Sequence, residues 1–373
     1  MRDIKASKTA KSSKRATMTD IATKAGVSQS TVSLVLNAMT GTKLSKDTRQ
    51  RVLRIAQELG YQLPEGRKSQ SAGPSPLPTA PPKDARRLIL YLVDEISTSP
   101  HPVVSVDGAK DEAWSQGTLV AVFATRSNAD MESAVLAAML THPLLAGVVY
   151  STIFTRQTVP PAALSAVPTV LLNCYVPEGS EPHFSSIVPS EVVGGTTATE
   201  YLIHAGHKRI GFINGEPWMD AAKDRLKGYR RALASADIPF DGSLVREGNW
   251  QGTSGYECTL SLMQNVRPPS AIFCANDLMA VGCLEALQAL GLKVPADVSV
   301  VGYDDQEIAR HTHPPLTTLL LPNYEMGRLA IELLLDEANG MPHRKRRIKV
   351  EAQMVERGTV GPPAPHHPSL KNS

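Results

Sequence analysis

Aromatic side chains make up only 5% of the 373 residues, and four cysteines (Cys174, Cys258, Cys274, Cys283) are spread through so long a chain without a C-x-x-C pair. That spacing argues against a disulfide scaffold, a zinc ribbon or a dithiol redox motif. No apolar run approaches the ~18 residues of a membrane span. The N-terminus is polar and basic with no apolar stretch behind it, so the expectation is a protein of the reducing cytoplasm with no membrane partner. No G-x-x-x-x-G-K-[ST] loop, no G-x-G-x-x-G after a strand and no G-x-S-x-G elbow occurs. His204 and His207, and likewise His311 and His313, lack a carboxylate or cysteine at metal spacing, so neither metal nor cofactor is expected. Asp304 and Asp305 are sequence neighbours whose side chains diverge, unlike a proton-sharing dyad. An enzyme is not the expected class.

The charge is distributed unevenly. Overall the chain is +3, but residues 1–68 hold 14 Lys/Arg against 5 Asp/Glu, which leaves the body acidic. A basic head on an acidic body points to a polyanionic partner for the head. Residues 1–16 are Lys/Ser/Ala-rich without apolar periodicity and read as a disordered arm. Three short helical patterns follow in 17–62. Thr17 can cap the first, with Met18, Ile21 and Ala22 inward, and Gly26 suits a left-handed turn. Ser28 can cap the second, where Val32, Val35 and Leu36 recur at i, i+3, i+4. Ser45 can cap the third, whose Val52, Ile55, Ala56 and Leu59 share a face before Gly60. The short break between the first two implies a steep crossing, as in a helix-turn-helix whose second helix enters the DNA major groove. Ser28, Gln29, Ser30, Thr31 and Ser33 are then the polar groups offered to bases or phosphates, glutamine being able to pair with adenine. The plainer alternative is a three-helix bundle with a serine-rich face.

Residues 63–86 contain six prolines and almost no large apolar side chain, which makes an extended, semi-stiff linker. From Arg87 the texture becomes short apolar runs alternating with amphipathic segments. The runs are Leu88–Val93, Leu119–Phe123, Gly147–Tyr150, Thr169–Leu172, Ile210–Ile213, Ala271–Cys274 and Val298–Val301; the helical patterns include Val192–His204, Asp224–Ala236 and Leu278–Leu290. Such alternation indicates βαβ units, and the number of strands suits two parallel sheets with a cleft between them. Polar residues at predicted strand ends mark that cleft: Asn173, Asn276-Asp277 and Asp304-Asp305, with Arg225 opening a helix after the Ile210–Ile213 strand. Amide, carboxylate and guanidinium together suit a polyhydroxyl ligand such as a sugar. Each has a plainer reading: a helix cap for Asn276-Asp277, a structural role for Asp305, a solvated charge for Arg225. Ser97, Ser99 and His101 in the first strand-end loop carry less weight.

TMTDIATKAGVSQSTVSLVLN and LSKDTRQRVLRIAQELGYQ, with AGHKRIGFI, KDRLKGYRRAL, CANDLMAVG, VSVVGYDD and HPPLTTL following in order, resemble the LacI/GalR family of bacterial transcriptional regulators. The resemblance implies an α/β protein: a two-lobed periplasmic-binding-protein-like core of Rossmann-like lobes joined by three crossovers, behind a small all-α helix-turn-helix domain. It implies a repressor that works as a homodimer on double-stranded operator DNA under control of a small-molecule effector, with a solute-binding protein or a sugar-acting enzyme as alternatives on the same fold. Gln29 and Ser30 would read bases, with Leu34 at a third base-facing position where it can offer only apolar contact. Thr17, Ser28, Thr31, Ser33 and Asn37 would hold phosphates or the motif's geometry. Arg225, Asn276 and Asp304 match effector-binding positions; Asn173 falls at a cleft position, and Trp250 could stack a sugar face. The loop 38–43 is longer than usual. The Pro-rich 63–86 replaces the family's hinge helix, leaving Leu77 as the sole candidate minor-groove wedge. Pro189 replaces a polar crossover residue. The expected domains are 1–16, 17–62, 63–86, the effector and dimerisation domain 87–358, and a flexible tail 359–373.

Overall fold

The computed structural model describes residues 21, 24–27, 32, 35, 45–59, 87–179, 184–341 and 344–364. They fall into two compact units, divided at Thr79/Ala80. In the first, Ile21, Ala25, Val32, Val35, Val52, Ile55 and Ala56 form one apolar cluster, with Val27 and Leu59 partly buried against it. Helix α1 (Lys46–Glu58) begins where expected because the Ser45 side chain accepts a hydrogen bond from the Thr48 N–H at 3.1 Å, satisfying one of the open donors of a helix start. Gly26 takes φ +64°, the left-handed turn expected of it. Lys24 and Glu58 pair at 3.1 Å across the cluster. Both are half-exposed, so the pair adds only about 0–1 kcal/mol; apolar burial holds the unit together.

The second unit has two all-parallel sheets. The first lobe contains β1 (Arg87–Val93), α2 (His101–Ser115), β2 (Thr118–Ala124), α3 (Ala129–Met139), β3 (Leu145–Gln157), β4 (Thr169–Tyr175) and β5 (Ser185–Pro189). The chain then passes to the second lobe with α4 (Glu191–His204), β6 (Ile210–Asn214), α5 (Asp220–Ser235), β7 (Val245–Glu247), α6 (Gly252–Met263), β8 (Ala271–Cys274), α7 (Asp277–Ala289), β9 (Ser299–Val301) and β10 (Thr318–Leu320). It returns with α8 (Asn323–Ala338) and β11 (Arg347–Val350), and crosses a third time into β12 (Gln353–Val355). Strand order is β11-β5-β4-β3-β1-β2 in the first lobe and β7-β6-β8-β9 in the second, and β10 pairs antiparallel with β12. The three crossovers are therefore Pro189–Glu191, Leu320–Asn323 and Val350–Gln353; the first and third touch where the Ser190 N–H meets the Val350 carbonyl at 2.7 Å.

Buried on both faces, β1 reads as a continuous apolar run. Ile89, Tyr91 and Val93 pack under α2 and α8, while Leu90 and Leu92 pack on the opposite face with Leu136, Val148 and Leu171. Neighbouring helices meet over glycine. A Cβ on Gly327 of α8 would lie 1.9 Å from the Ser105 carbonyl of α2, and one on Gly228 of α5 would lie 2.3 Å from the Val192 carbonyl of α4.

Two expectations are corrected. Ser97, Ser99 and His101 do not share one strand-end loop as expected, because His101 is the first residue of α2. The tail expected to be flexible from 359 is pinned as far as Gly361. Thr359 is buried and its hydroxyl donates to the Val300 carbonyl at 2.6 Å. The Gly361 carbonyl accepts from His207 Nε2 at 2.9 Å. With Nε2 carrying the proton, Nδ1 of His207 is left to accept from Ser270 at 2.9 Å. Residues 365–373 of the expected tail lie outside the described residues.

Gly327→Ala should destabilise the protein by about 1–3 kcal/mol or more, because the methyl group meets backbone on a packed helix pair; an unchanged urea midpoint would refute this contact. Burial lowers the pKa of His207, although the Gly361 carbonyl acts in the other direction. The unfolded chain takes up that proton near its ordinary pKa of about 6.5 and the folded chain does not. Stability present above that pH should accordingly fall as pH drops below it, and His207→Gln should flatten the decline in denaturant titrations.

Candidate functional site

Thr17, Ser28, Gln29, Ser30, Thr31, Ser33, Leu34 and Asn37 lie outside the described residues, as do Leu77 and the segment 63–86. What the structure describes in the head is the apolar cluster around Ile21, Val32 and Val52 and the capped helix α1.

In the second lobe, the ends of β6, β8 and β9 gather four of the five expected effector residues. Asn276 is the N-cap of α7: its carbonyl oxygen accepts from the Met279 N–H at 2.9 Å, and its amide donates to the Trp250 carbonyl at 2.9 Å. The cap reading of Asn276 is thus realised, and the same amide ties down Trp250. Trp250 sits at φ +68° with its ring across Gly215, where a Cβ would come within 1.9 Å of the indole. Its indole N–H is buried without a partner. Arg225 lies 5.7 Å from that ring and 3.7 Å from the ring of Tyr303. It stands in the second turn of α5 rather than opening it, because α5 begins at Asp220. Asp304, at φ +111°, accepts from Gln306 at 3.1 Å and lies 3.9 Å from Arg225.

Arg225 is 4% exposed, and its Nε and Nη2 form a two-pronged pair with the Glu191 carboxylate at 2.8 Å each. Its Nη1 donates to the Ala275 carbonyl. Burial works against the charged guanidinium, but Glu191 outweighs it and raises the pKa of Arg225. The arginine is a buried, protein-paired cation, not a solvated helix-face charge. Asp277 is not the cap. It accepts from Thr318 at 2.6 Å and from the Gln306 N–H at 2.7 Å, joining the β9 and β10 ends to α7. Burial, with the nearby Asp304 carboxylate adding to it, raises its pKa. Asp305 has the structural role expected of it, pairing with Arg310 and Arg357.

Asn173 stands apart from this cluster in its bonding. At φ +59° in β4, its side chain accepts from Thr155 at 2.6 Å and donates to the Thr152 carbonyl at 3.0 Å. Both amide functions hold the irregular end of β3. The first lobe instead reaches the cluster through His101, whose Nε2 is 3.4 Å from Asp304 and whose Nδ1 is 3.2 Å from Asn323. The lobes also meet where Tyr175 donates to Asp220 at 2.7 Å and where Phe154 packs edge-on against Trp218 at 5.6 Å. Glu191, Tyr303 and Asn323 were missed in the sequence. The one sequence signal for Glu191 is the unusual VPSE crossover, in which it follows Pro189 by two residues. Among the described residues no cluster of three or more His, Cys, Asp or Glu is placed to hold a metal, and no helix is long and apolar enough to cross a membrane. His311 bonds Glu307 at 3.1 Å, but both are exposed.

A helical head joined to two parallel-sheet lobes, with charged and aromatic groups gathered at the strand ends, defines a ligand-sensing regulator class. Residues 17–63 match the bacterial regulatory proteins of the lacI family, and residues 199–360 match the periplasmic binding protein-like domain. The chain is 31% identical over 347 residues to the HTH-type transcriptional repressor PurR of Vibrio campbellii, covering 92% of this chain and 98% of that protein. Among solved structures it resembles a transcriptional regulator CelR–cellobiose complex (29% identity, TM-score 0.61, covering 92% of this chain and 100% of that one). It also resembles the lac repressor dimer bound to operator and the anti-inducer ONPF (28% identity, TM-score 0.61, 93% and 100% covered). The chain belongs to the LacI family and is a DNA-binding transcriptional regulator.

Arg225→Met should destabilise the protein by about 3–5 kcal/mol, since it leaves the Glu191 carboxylate buried without its partner. The double change Arg225→Met/Glu191→Leu should recover much of that loss. Additive losses in a urea double-mutant cycle would show that the two side chains are not coupled.

Proposed function

We propose that the protein is a cytoplasmic, non-enzymatic repressor that grips a near-palindromic operator as a homodimer, and that a sugar or sugar derivative between the lobes controls the grip. The observation that carries the effector half is the gathering of Arg225, Trp250, Asn276 and Asp304 at the carboxyl ends of parallel strands, opposite His101 of the other lobe. Ligands of open α/β sheets bind at such strand ends. The cellobiose complex among the similar structures supports a sugar, and the operator-bound dimer supports two-fold binding, since protein symmetry requires matching half-sites. In this reading Trp250 presents a ring face and an unpartnered N–H to the ligand, and Asp304 presents hydroxyl acceptors. Arg225 and Asn276 shape the pocket, and Asn173 supports its rim through β3. A ligand that bridges Asp304 and His101 changes the balance of lobe arrangements only by its differential affinity for them.

The DNA half assigns Gln29, Ser30 and Leu34 to bases, and Thr17, Ser28, Thr31, Ser33 and Asn37 to phosphates or helix geometry. The head is 17–62, the linker 63–86, and the effector and dimerisation domain, expected over 87–358, extends to about Gly361. A pure solute-binding protein would have no use for the basic head.

Selection from random duplexes followed by footprinting of the purified chain should yield a two-fold symmetric site. Gln29→Ala should weaken binding to it by about 1–3 kcal/mol and relax base preference at one symmetric position. Equal binding of parent and variant to selected and scrambled DNA would overturn the assignment. In a thermal-shift screen a bound sugar at 100 times its Kd should add about 2.7 kcal/mol of stability.

A further inference from the structure

The geometry points to Glu191 as the residue that sets the charge class of the effector: it fills the anion seat on Arg225 and so bars carboxylate- and phosphate-bearing ligands from the cleft. This rests on the reading that the cleft binds a small molecule. A guanidinium recognises a carboxylate or phosphate by presenting two parallel N–H groups along one edge. In Arg225 the side edge, Nε and Nη2, is occupied by both oxygens of Glu191 at 2.8 Å; Nη1 gives one N–H to the Ala275 carbonyl and lies 3.9 Å from the Asp304 carboxylate, which guards the remaining edge. The Tyr303 ring covers a face at 3.7 Å. Arg225 and Glu191 are each 4% exposed, so the pair is part of the interior and not a loose surface contact.

An incoming anion has two routes, both unfavourable. It can displace Glu191, stranding a carboxylate in a buried position. Otherwise it must sit beside Glu191 and Asp304, both nearly buried, and meet like charge at short range. The arginine at the carboxyl edge of the first sheet is also engaged: Arg156 lies 2.8 Å from Asp94. Neutral hydroxyls face no such penalty, because Asp304, His101 and the unpartnered Trp250 N–H can exchange hydrogen bonds with them.

The test uses the full chain and defined probes in titration calorimetry and thermal shift. The parent should give no saturable response to glucuronate or glucose 6-phosphate. Glu191→Ala, which empties the seat, should take up formate and acetate saturably, about tenfold or more tighter than the parent, and Arg225→Met in that background should abolish the uptake. Failure of Glu191→Ala to bind formate overturns the inference, and so does parent binding of either sugar acid that Arg225→Lys weakens. If the alanine variant does not fold, the two sugar acids on the parent decide alone, with silence supporting the seat and Arg225-dependent binding refuting it. The sugar reading stands or falls separately, on glucose and cellobiose titrated into the parent: formate uptake by the variant with neither sugar binding keeps the filled seat and discards the sugar effector.

Discussion

The buried pair between Arg225 and Glu191 is the interaction on which the organisation of the effector domain turns. Glu191 is the first residue of α4, immediately after the first crossover, and Arg225 lies on the helix packed against α4. The guanidinium also reaches the end of β8 through the Ala275 carbonyl and stacks on Tyr303 beyond β9. One cation thus ties together a crossover, two helices and two strand ends. Two charges withdrawn from water are tolerable only with near-ideal geometry and full hydrogen bonding. That requirement accounts for the two-pronged contact and for the glycine positions next to it. Gly194 leaves room for the Tyr303 hydroxyl and Gly195 for the Arg225 backbone, where a Cβ would lie 2.0 Å and 2.4 Å away respectively.

Around this fixed centre the contacts between lobes are fewer and more polar. Among the described residues, His101 to Asp304, Tyr175 to Asp220 and Phe154 to Trp218 join the two lobes. Two of the three are polar and carry little buried apolar area, so a ligand that rearranges them competes with modest energies. The interior of each lobe, by contrast, is apolar sheet and glycine-spaced helix pairs, which resist deformation. This division suits a domain that senses by moving lobes as bodies and not by reshaping their cores. Asp304 belongs to both systems, because its backbone N–H meets the Leu319 carbonyl of β10 at 2.7 Å, just before the second crossover.

How much of this could be read in advance differed with the kind of residue. Every apolar run taken as a strand became one, and Ala271–Cys274 matched residue for residue. The short strands β7, β10 and β12 escaped notice because three residues cannot display an alternating pattern. β5 escaped for another reason: SSIVP is polar at its start yet buried throughout, its serines enclosed between neighbouring strands. Helices α2 and α8, which cover one face of the first sheet, show a weaker pattern; α2 has buried Ser105, Gly108 and Ala109 on its inward side, which blurs the apolar stripe. Among the candidate site residues, Asn276 and Asp304 were expected at strand ends and Arg225 near one, with family motifs pointing to the same three, and Trp250 was expected as a ring to stack a sugar; the four gather at the ends of the second sheet. Asn173 was found by its place at a strand end, which does not distinguish ligand contact from support of a loop.

By itself the sequence determined the order and type of most elements, the basic head with its capped third helix, the division into two lobes and the regulator family. Those properties depend on spacing between near neighbours, which a linear pattern records. Only the tertiary structure decided what each polar side chain faces. Glu191 and Arg225 are 34 residues apart, and His101 and Asn323 are 222 apart; the crossovers that bring them together leave no periodic trace in either segment. A carboxylate looks the same in the sequence whether it awaits a ligand or already neutralises an arginine, because the difference lies in how completely its partner's donors are taken.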